Sequence, residues 1–176
     1  ISERMVEKLR AKPGGADVPV TIGDFADVGV PGTYRLIYLV FNTLFALTAQ
    51  EDQLRCFENV ASHLDDDGVF VVEVFVPDLS RFTRDQATTV VDLDPDRVML
   101  DVSRHDPAMQ TIHSQHIVIT ESGVKLYPVA LRYMWASEMD MTAAAAGLAL
   151  RERYADWRRG HFTAASTSHV SVYGRA

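Results

Sequence analysis

The chain has 176 residues, of which 47% are hydrophobic and 23% charged, the composition of a globular protein of one domain or slightly more. Its 17 basic and 24 acidic residues give a formal net charge of −7. This charge argues against nucleic acid or an anionic membrane as the main partner, because both require clustered Lys and Arg. The single cysteine, Cys56, excludes an intramolecular disulfide framework and a zinc site built from cysteines alone, and it fits a cytoplasmic setting. No apolar run approaches the ~20 residues of a membrane span.

The first third of the chain predicts one helix and two strands. Residues 2–12 have helical periodicity, with Ser2 as a possible cap. The β-branched run 18–22 predicts a short strand, and Asp24 follows it in a turn. Residues 36–41 are almost wholly apolar, which predicts a strand covered on both faces.

The next segments complete a βαβ unit. Residues 50–64 predict an amphipathic helix, 65–68 an acidic solvated turn, and 69–76 a second buried strand interrupted by Glu73. A strand, a helix and a strand in this order predict a parallel sheet with a right-handed crossover.

Beyond residue 95 the pattern changes to alternating strands with short connections, which favours an antiparallel meander over 98–135. Pro128 places its strand at an edge or a bulge. Ser137 is expected to cap a helix that ends at Gly147. Residues 148–157 and 169–173 predict two final strands.

Several polar residues are candidates for a site. Asp24 and Asn42 follow predicted strands, at the carboxyl ends where α/β sheets bind ligands, although Asp24 equally suits a turn that bonds its own backbone. Glu73 lies inside an apolar strand, where it would either face a pocket or pair with a basic residue. His116, Tyr127 and Tyr133 are candidate pocket residues, with packing as the alternative.

Other signatures are absent or argue against a site. His113 and His116 do not suggest a metal pair, because strand residues three apart point to opposite faces. Trp135 and Trp157 are interpreted as core or interface residues. The sequence contains no GxSxG elbow, no Walker A loop and no GxGxxG.

The order of these elements resembles the class I S-adenosylmethionine-dependent methyltransferases, and in particular the small-molecule methyltransferases of bacterial secondary metabolism. The blocks that carry the resemblance are ISERMVEKLRAK, VTIGDFADV, YRLIYLVFNTLFAL, GVFVVEVFVPDL, AAGLALRERY and SHVSVYGR. The resemblance covers essentially the whole chain.

The resemblance implies an α/β fold: a Rossmann-like sheet of strand order 3-2-1-4-5-7-6, with the last strand antiparallel. Residues 18–22, 36–41 and 69–76 would be its third, fourth and fifth strands, followed by an antiparallel β insertion and the closing pair. The implied division is 1–95 for the later part of the cofactor-binding core, 96–136 for the insertion, a lid or dimer contact, and 137–176 for the closing helix and strands.

The resemblance also implies S-adenosylmethionine as cofactor. Asp24 would accept a hydrogen bond from the adenine amino group, and the backbone of Phe25 would hold the ring. Phe41 and Asn42 would lie beneath the methionine part. The family's glycine-rich loop and ribose-binding acidic residue would precede Ile1, so the first two strands are missing from this chain. We expect the protein to continue upstream, or the third strand to have moved beside the fourth.

The expected function is methylation of a nitrogen, oxygen or carbon on a small molecule. Glu73, His116 and Tyr133 are candidates for the acceptor pocket, and no catalytic base or metal ligand is assigned. The insertion at 98–135 is a candidate homo-oligomer contact. The alternative is a non-catalytic interaction or dimerisation remnant of a methyltransferase. An NAD-dependent Rossmann enzyme suits the closing antiparallel strands less well.

Overall fold

The structure, a computed structural model, describes residues 2–176 as two four-stranded sheets and three α-helices. Helix α1 (Glu3–Arg10) is capped by Ser2, whose side-chain oxygen accepts a hydrogen bond from the Met5 N–H. None of its residues is buried, so its apolar side does not join the core. No helix in the described part of the chain is long and apolar enough to cross a membrane.

The first sheet contains the predicted βαβ unit. Strands β1 (Tyr34–Leu39) and β2 (Leu64–Phe75) are parallel and are connected through α2 (Gln50–His63). Strands β7 (Leu148–Tyr154) and β8 (Ser168–Arg175) complete the order β1-β2-β8-β7, with antiparallel pairing of β8 to both neighbours. This order matches the fourth, fifth, seventh and sixth strands of the family's sheet. The Rossmann-like methyltransferase fold class is therefore confirmed.

The predicted strand at 18–22 is wrong. Val18 is 44% exposed and Ile22 52% exposed, and neither belongs to a strand. The Arg10 guanidinium binds the Val18 carbonyl oxygen at 2.6 Å and two preceding carbonyls, so these backbone groups are satisfied without a neighbouring strand. Within residues 2–176 only β2 pairs with β1, so no third strand has moved beside it.

The acidic segment 65–68 is not a turn but the start of β2, which begins directly after α2. The pairing with β1 contains an irregularity here, between Tyr34 and Leu36. A Cβ on Gly68 would come within 2.8 Å of the Tyr34 carbonyl oxygen, so only glycine allows the two strands to approach this closely.

The main core lies between α2 and one face of the first sheet. Phe57 of α2 makes edge-to-face contacts with Phe70 of β2 and Tyr173 of β8, and all three are fully buried. The alternating burial of β2 places Val72 and Val74 in this core and leaves Glu73 on the opposite, half-buried face.

The second sheet is an antiparallel meander of β3 (Gln86–Asp94), β4 (Arg97–Asp106), β5 (Thr111–Thr120) and β6 (Gly123–Arg132). Strand β3 was not predicted from the sequence, and it lies before the expected start of the insertion at 96. Pro128 lies in β6, an edge strand, as predicted.

Helix α3 (Ala136–Ala145) follows the second sheet. The predicted Ser137 cap is wrong, because Trp135 occupies the N-cap position and no side chain caps the helix. Gly147, with φ of 77°, follows its end as predicted.

Candidate functional site

A strained turn follows β1 at the carboxyl end of the parallel strands. The strand ends at Leu39, before the predicted Phe41, because Phe41 (φ 56°) and Asn42 (φ 60°) both adopt the left-handed conformation. This conformation is rare for a residue as bulky as phenylalanine. The Phe41 side chain is 85% exposed, so its own packing does not compensate for the strain.

Strand β2 fixes this turn. The Phe41 N–H donates to Glu73 Oε2 at 3.1 Å, and the Asn42 N–H donates to the Glu73 carbonyl oxygen at 3.2 Å. In return, Asn42 Oδ1 accepts from the Phe75 N–H at 2.7 Å. These hydrogen bonds bring three of the candidate residues together: Phe41, Asn42 and Glu73.

The second carboxylate oxygen of Glu73 reaches the connection between β7 and β8. Glu73 Oε1 accepts a hydrogen bond from Trp157 Nε1 at 2.9 Å. Glu73 forms no ion pair among the residues described, so the alternative of a basic partner does not apply. Trp157 is neither in the core nor in a strand: β7 ends at Tyr154 and the side chain is 56% exposed. The sequence offered no signal for this contact.

A cleft of about 560 Å³ opens where β2 ends. The segment from Phe75 to Leu79 forms one side together with Arg81, and the loop 164–167 before β8 forms another. Asp78 caps the turn that follows, and hydrogen bonds from Ser80 to its carboxylate lower the Asp78 pKa.

His116 is linked to this cleft through Asp101, which lies close to both His116 and Arg81. His116 Nε2 is 3.9 Å from Asp101 Oδ1, and Arg81 Nη1 is 3.8 Å from Asp101 Oδ2. The Asp101 carboxylate also accepts the Ser103 hydroxyl at 2.9 Å. Tyr127 is half-exposed, and with His116 it lines a separate cleft of about 420 Å³. His113 points to the other face of the sheet, as the strand geometry requires.

Tyr133 lies in the core, where it is only 1% exposed. Its hydroxyl pairs with His105 Nε2 at 3.0 Å, and His105 stacks on Phe82. Burial raises the Tyr133 pKa, with a further contribution from the Glu138 carboxylate. The structure therefore does not bring Tyr133 to either cleft.

Asp24 and Phe25 lie at the open edge of β1. Asp24 Oδ1 accepts the Ala26 N–H at 3.0 Å, the turn contact considered as the alternative for this residue, and the side chain is exposed. Phe25 lines an apolar cavity of about 340 Å³ together with residues of β1 and with Cys56. Burial raises the Cys56 pKa to about 12, and the Asp24 carboxylate contributes to this. The thiol is therefore protonated, and it is not a nucleophile.

Comparison with solved structures identifies the class. No protein-family model and no curated protein sequence matches the chain. The CcbJ methyltransferase from Streptomyces caelestis is 38% identical, with a TM-score of 0.90 over 99% of this chain and 75% of its own. A S-adenosylmethionine-dependent methyltransferase from Clostridium acetobutylicum shares the fold at 10% identity and a TM-score of 0.84, covering 99% and 72% of the two chains.

DesVI from Streptomyces venezuelae shares the fold as well, at 20% identity and a TM-score of 0.66, over 99% of this chain and 72% of its own. The fold is that of an enzyme of the methyltransferase class. The chain belongs to the class I S-adenosylmethionine-dependent methyltransferase family.

The residues at the edge of β1 fit the adenine end of S-adenosylmethionine. The cavity is apolar and is partly lined by the Phe25 ring, as a flat heterocycle requires. Only Oδ1 of the exposed Asp24 carboxylate accepts a hydrogen bond from the described residues, so Oδ2 can accept one from an exocyclic amino group.

Proposed function

We propose that this protein transfers a methyl group from S-adenosylmethionine to a nitrogen, oxygen or carbon atom of a small-molecule acceptor. The observation that carries the proposal is the strained Phe41–Asn42 turn, held by Glu73 at the carboxyl ends of two parallel strands and adjacent to an open cleft. Ligands of α/β sheets bind at this edge, and strained backbone is concentrated at functional sites.

The cofactor side of the proposed site consists of Asp24, Phe25, Phe41 and Asn42. Asp24 would bind the adenine amino group, and the Phe25 backbone would hold the ring. Phe41 and Asn42 would support the methionine part. When bound, S-adenosylmethionine supplies a methyl group already activated by its sulfonium, so the protein's main contribution is alignment.

The acceptor side would be the cleft at the end of β2, with Glu73 two residues before the lining residue Phe75, and with His116 beside Asp101. Tyr133 is buried too deeply to contact an acceptor. A base is needed only when the acceptor must lose a proton. His116 lines a separate cleft and is linked to this one only through Asp101 and Arg81, so no base is assigned.

Binding of S-adenosylhomocysteine to Asp24→Asn tests the cofactor side. Asparagine keeps the oxygen that accepts the Ala26 N–H but removes the charge, so the turn is retained. We expect the dissociation constant measured by calorimetry to rise about tenfold, the effect of losing one charge-assisted hydrogen bond. Asp27→Asn, an exposed carboxylate in the same segment, is the matched control. Equal affinities for the two variants would remove Asp24 from the site. Absence of binding both to these 176 residues and to a longer form that includes residues upstream of Ile1 would favour a non-catalytic remnant.

A second proposal concerns the outer face of the antiparallel sheet. The half of this face around Leu100 carries mainly aliphatic side chains, and Arg104, His113 and Gln115 continue the same face towards its other end. Its central member, Leu100, pairs with Val90 on one side and Ile117 on the other. The aliphatic members of the outer face are Val90, Leu93, Val98, Leu100, Val102, Ile117, Ile119, Val124, Leu126 and Pro128. Several of these are highly exposed, among them Leu93 at 72% and Val124 at 61%.

We propose that a second copy of the chain covers this outer face and forms a homodimer. The whole outer face, with four strands of about ten residues, spans roughly 33 Å by 19 Å, about 600 Å² per copy and about 1,200 Å² for a pair, and the aliphatic residues make up about half of it. This area reaches the size of a specific interface, and an apolar sheet face can pack on its own copy across a two-fold axis.

Sedimentation velocity tests the homodimer. We expect the unchanged protein to sediment as a dimer and Leu126→Lys as a monomer, because a buried lysine on each copy would be desolvated without a partner. Tyr127→Lys is the control, because Tyr127 is the next residue of β6 and lies on the opposite face of the sheet. The two side chains are similarly exposed, Tyr127 at 50% and Leu126 at 58%. Monomeric unchanged protein, or equal dissociation of both variants, would contradict the proposal.

A further inference from the structure

Glu73 connects two segments that lie on opposite sides of the carboxyl-end site. One is the turn after β1, whose Phe41 N–H binds Glu73 Oε2 at 3.1 Å. The other is the connection between β7 and β8, whose Trp157 indole binds Glu73 Oε1 at 2.9 Å. Each carboxylate oxygen therefore serves a different segment, and a single side chain from the sheet fixes both.

The turn after β1 has a strained backbone that must be held by hydrogen bonds from outside the turn. Two consecutive non-glycine residues, Phe41 and Asn42, have positive φ, and the exposed Phe41 ring gains little from packing. Backbone of this kind persists only where surrounding bonds impose it. Here those bonds come from β2: the Glu73 carboxylate, the Glu73 carbonyl and the Phe75 N–H.

The connection between β7 and β8 has its own hydrogen bonds around Trp157. Asp156 Oδ1 accepts the N–H groups of Arg158 and Gly160 at 2.8 and 3.0 Å, which closes a turn around Trp157. The loop continues to Ser166 and Thr167, which line the cleft at the end of β2. The contact from Trp157 to Glu73 is thus the point where this loop is fastened to the sheet beside the cleft.

We infer that Glu73 is a positioning residue that couples the cofactor-side turn to the acceptor-side loop. Its carboxylate holds the Phe41–Asn42 backbone in its strained form, and the same group anchors Trp157. The coupling is a property of this chain's own contacts, whereas its role in catalysis rests on the proposed methyl transfer.

Trp157 reports on the coupling directly in a Trp135→Phe background, since the chain has only two tryptophans. In that background we expect Glu73→Ala to shift Trp157 emission to longer wavelength and to raise its acrylamide quenching about twofold, as the loop becomes mobile. Trypsin cleavage after Arg158 and Arg159 should accelerate about tenfold, the effect of one lost charge-assisted hydrogen bond. For Glu73→Gln we expect quenching and cleavage rates between those of the Trp135→Phe background and those of Glu73→Ala, because the glutamine amide keeps one acceptor oxygen.

Glu58→Gln is the matched control, since it removes an exposed carboxylate from α2, outside both segments. Phe41→Gly tests the other side of the coupling, because glycine adopts positive φ without strain. In the Phe41→Gly background, Glu73→Ala should lower the Tm less than it does in the unchanged protein. Trp157 emission and trypsin cleavage that are the same in Glu73→Ala and Glu58→Gln would overturn the inference.

Binding of S-adenosylhomocysteine, measured in parallel, separates this inference from the proposed function. Weaker binding by Glu73→Ala together with a mobile loop supports both. A mobile loop in Glu73→Ala, when the unchanged protein does not bind either as these 176 residues or in a longer form with residues upstream of Ile1, supports the coupling and overturns the proposed function. Unchanged loop behaviour with intact binding overturns the coupling alone.

Discussion

His169 illustrates how burial decides the charge of a single residue. It is 1% exposed in β8, where its Nδ1 lies 2.8 Å from the Ser171 hydroxyl and its ring packs on Phe162. Burial, and to a smaller extent the Arg153 guanidinium, lower the His169 pKa from 6.5 to about 4 against the opposing effect of Asp140. The imidazole is therefore neutral at neutral pH.

This buried histidine predicts that the protein loses stability in mild acid. Because the folded pKa is about 4 and the unfolded pKa 6.5, the unfolded chain binds more protons between these values. The stabilisation is fully present above pH 6.5 and is lost as pH falls towards 4. We expect the free energy of unfolding in urea to be about 2 kcal/mol lower at pH 5 than at pH 7.5.

The controls isolate this residue. His169→Gln should remove most of the difference between pH 5 and pH 7.5, while His161→Gln, at an exposed position, should leave it unchanged. The same pH dependence in His169→Gln as in the unchanged protein would show that other groups cause it.

At the level of elements, the βαβ unit could be predicted because its signals are local. The helix periodicity of 50–64 and the apolar run of 69–76 each specify their element without knowledge of partners. The segment 18–22 carries an equally local signal and fails, because a strand also needs a neighbour, and the guanidinium of Arg10 takes the Val18 carbonyl instead. Strand propensity depends on how a residue packs against its neighbours in a sheet, and these neighbours cannot be identified from the sequence.

The candidate site shows the same limit. Asn42 and Glu73 could be selected from their places in the sequence, at a strand end and inside an apolar run. Their contact depends on the parallel register of β1 and β2, and Trp157 joins them from 84 positions away along the chain. The positive φ of Phe41 has no sequence signal either, because phenylalanine is not a residue that favours this conformation.

At the level of the whole molecule, the two sheets differ in what covers them. The first sheet buries one face under α2 around Phe57 and Phe70. The second sheet turns Ser103, His105 and Ile112 inward, and its aliphatic outer face is left without cover from the rest of the described chain. Contiguous apolar surfaces of this kind mark interaction sites in soluble proteins.

If a second copy covers that outer face, the stability of the fold depends on protein concentration. Unfolding of a dimer releases two chains, so mass action stabilises the folded state as concentration rises. We expect the Tm to rise by about 3–5 °C over a hundredfold increase in concentration. The Tm of Leu126→Lys should be constant over the same range, because the monomer unfolds without dissociation, while Tyr127→Lys should follow the unchanged protein. A concentration-independent Tm in the unchanged protein would mean that the outer face does not contribute to its stability through a partner.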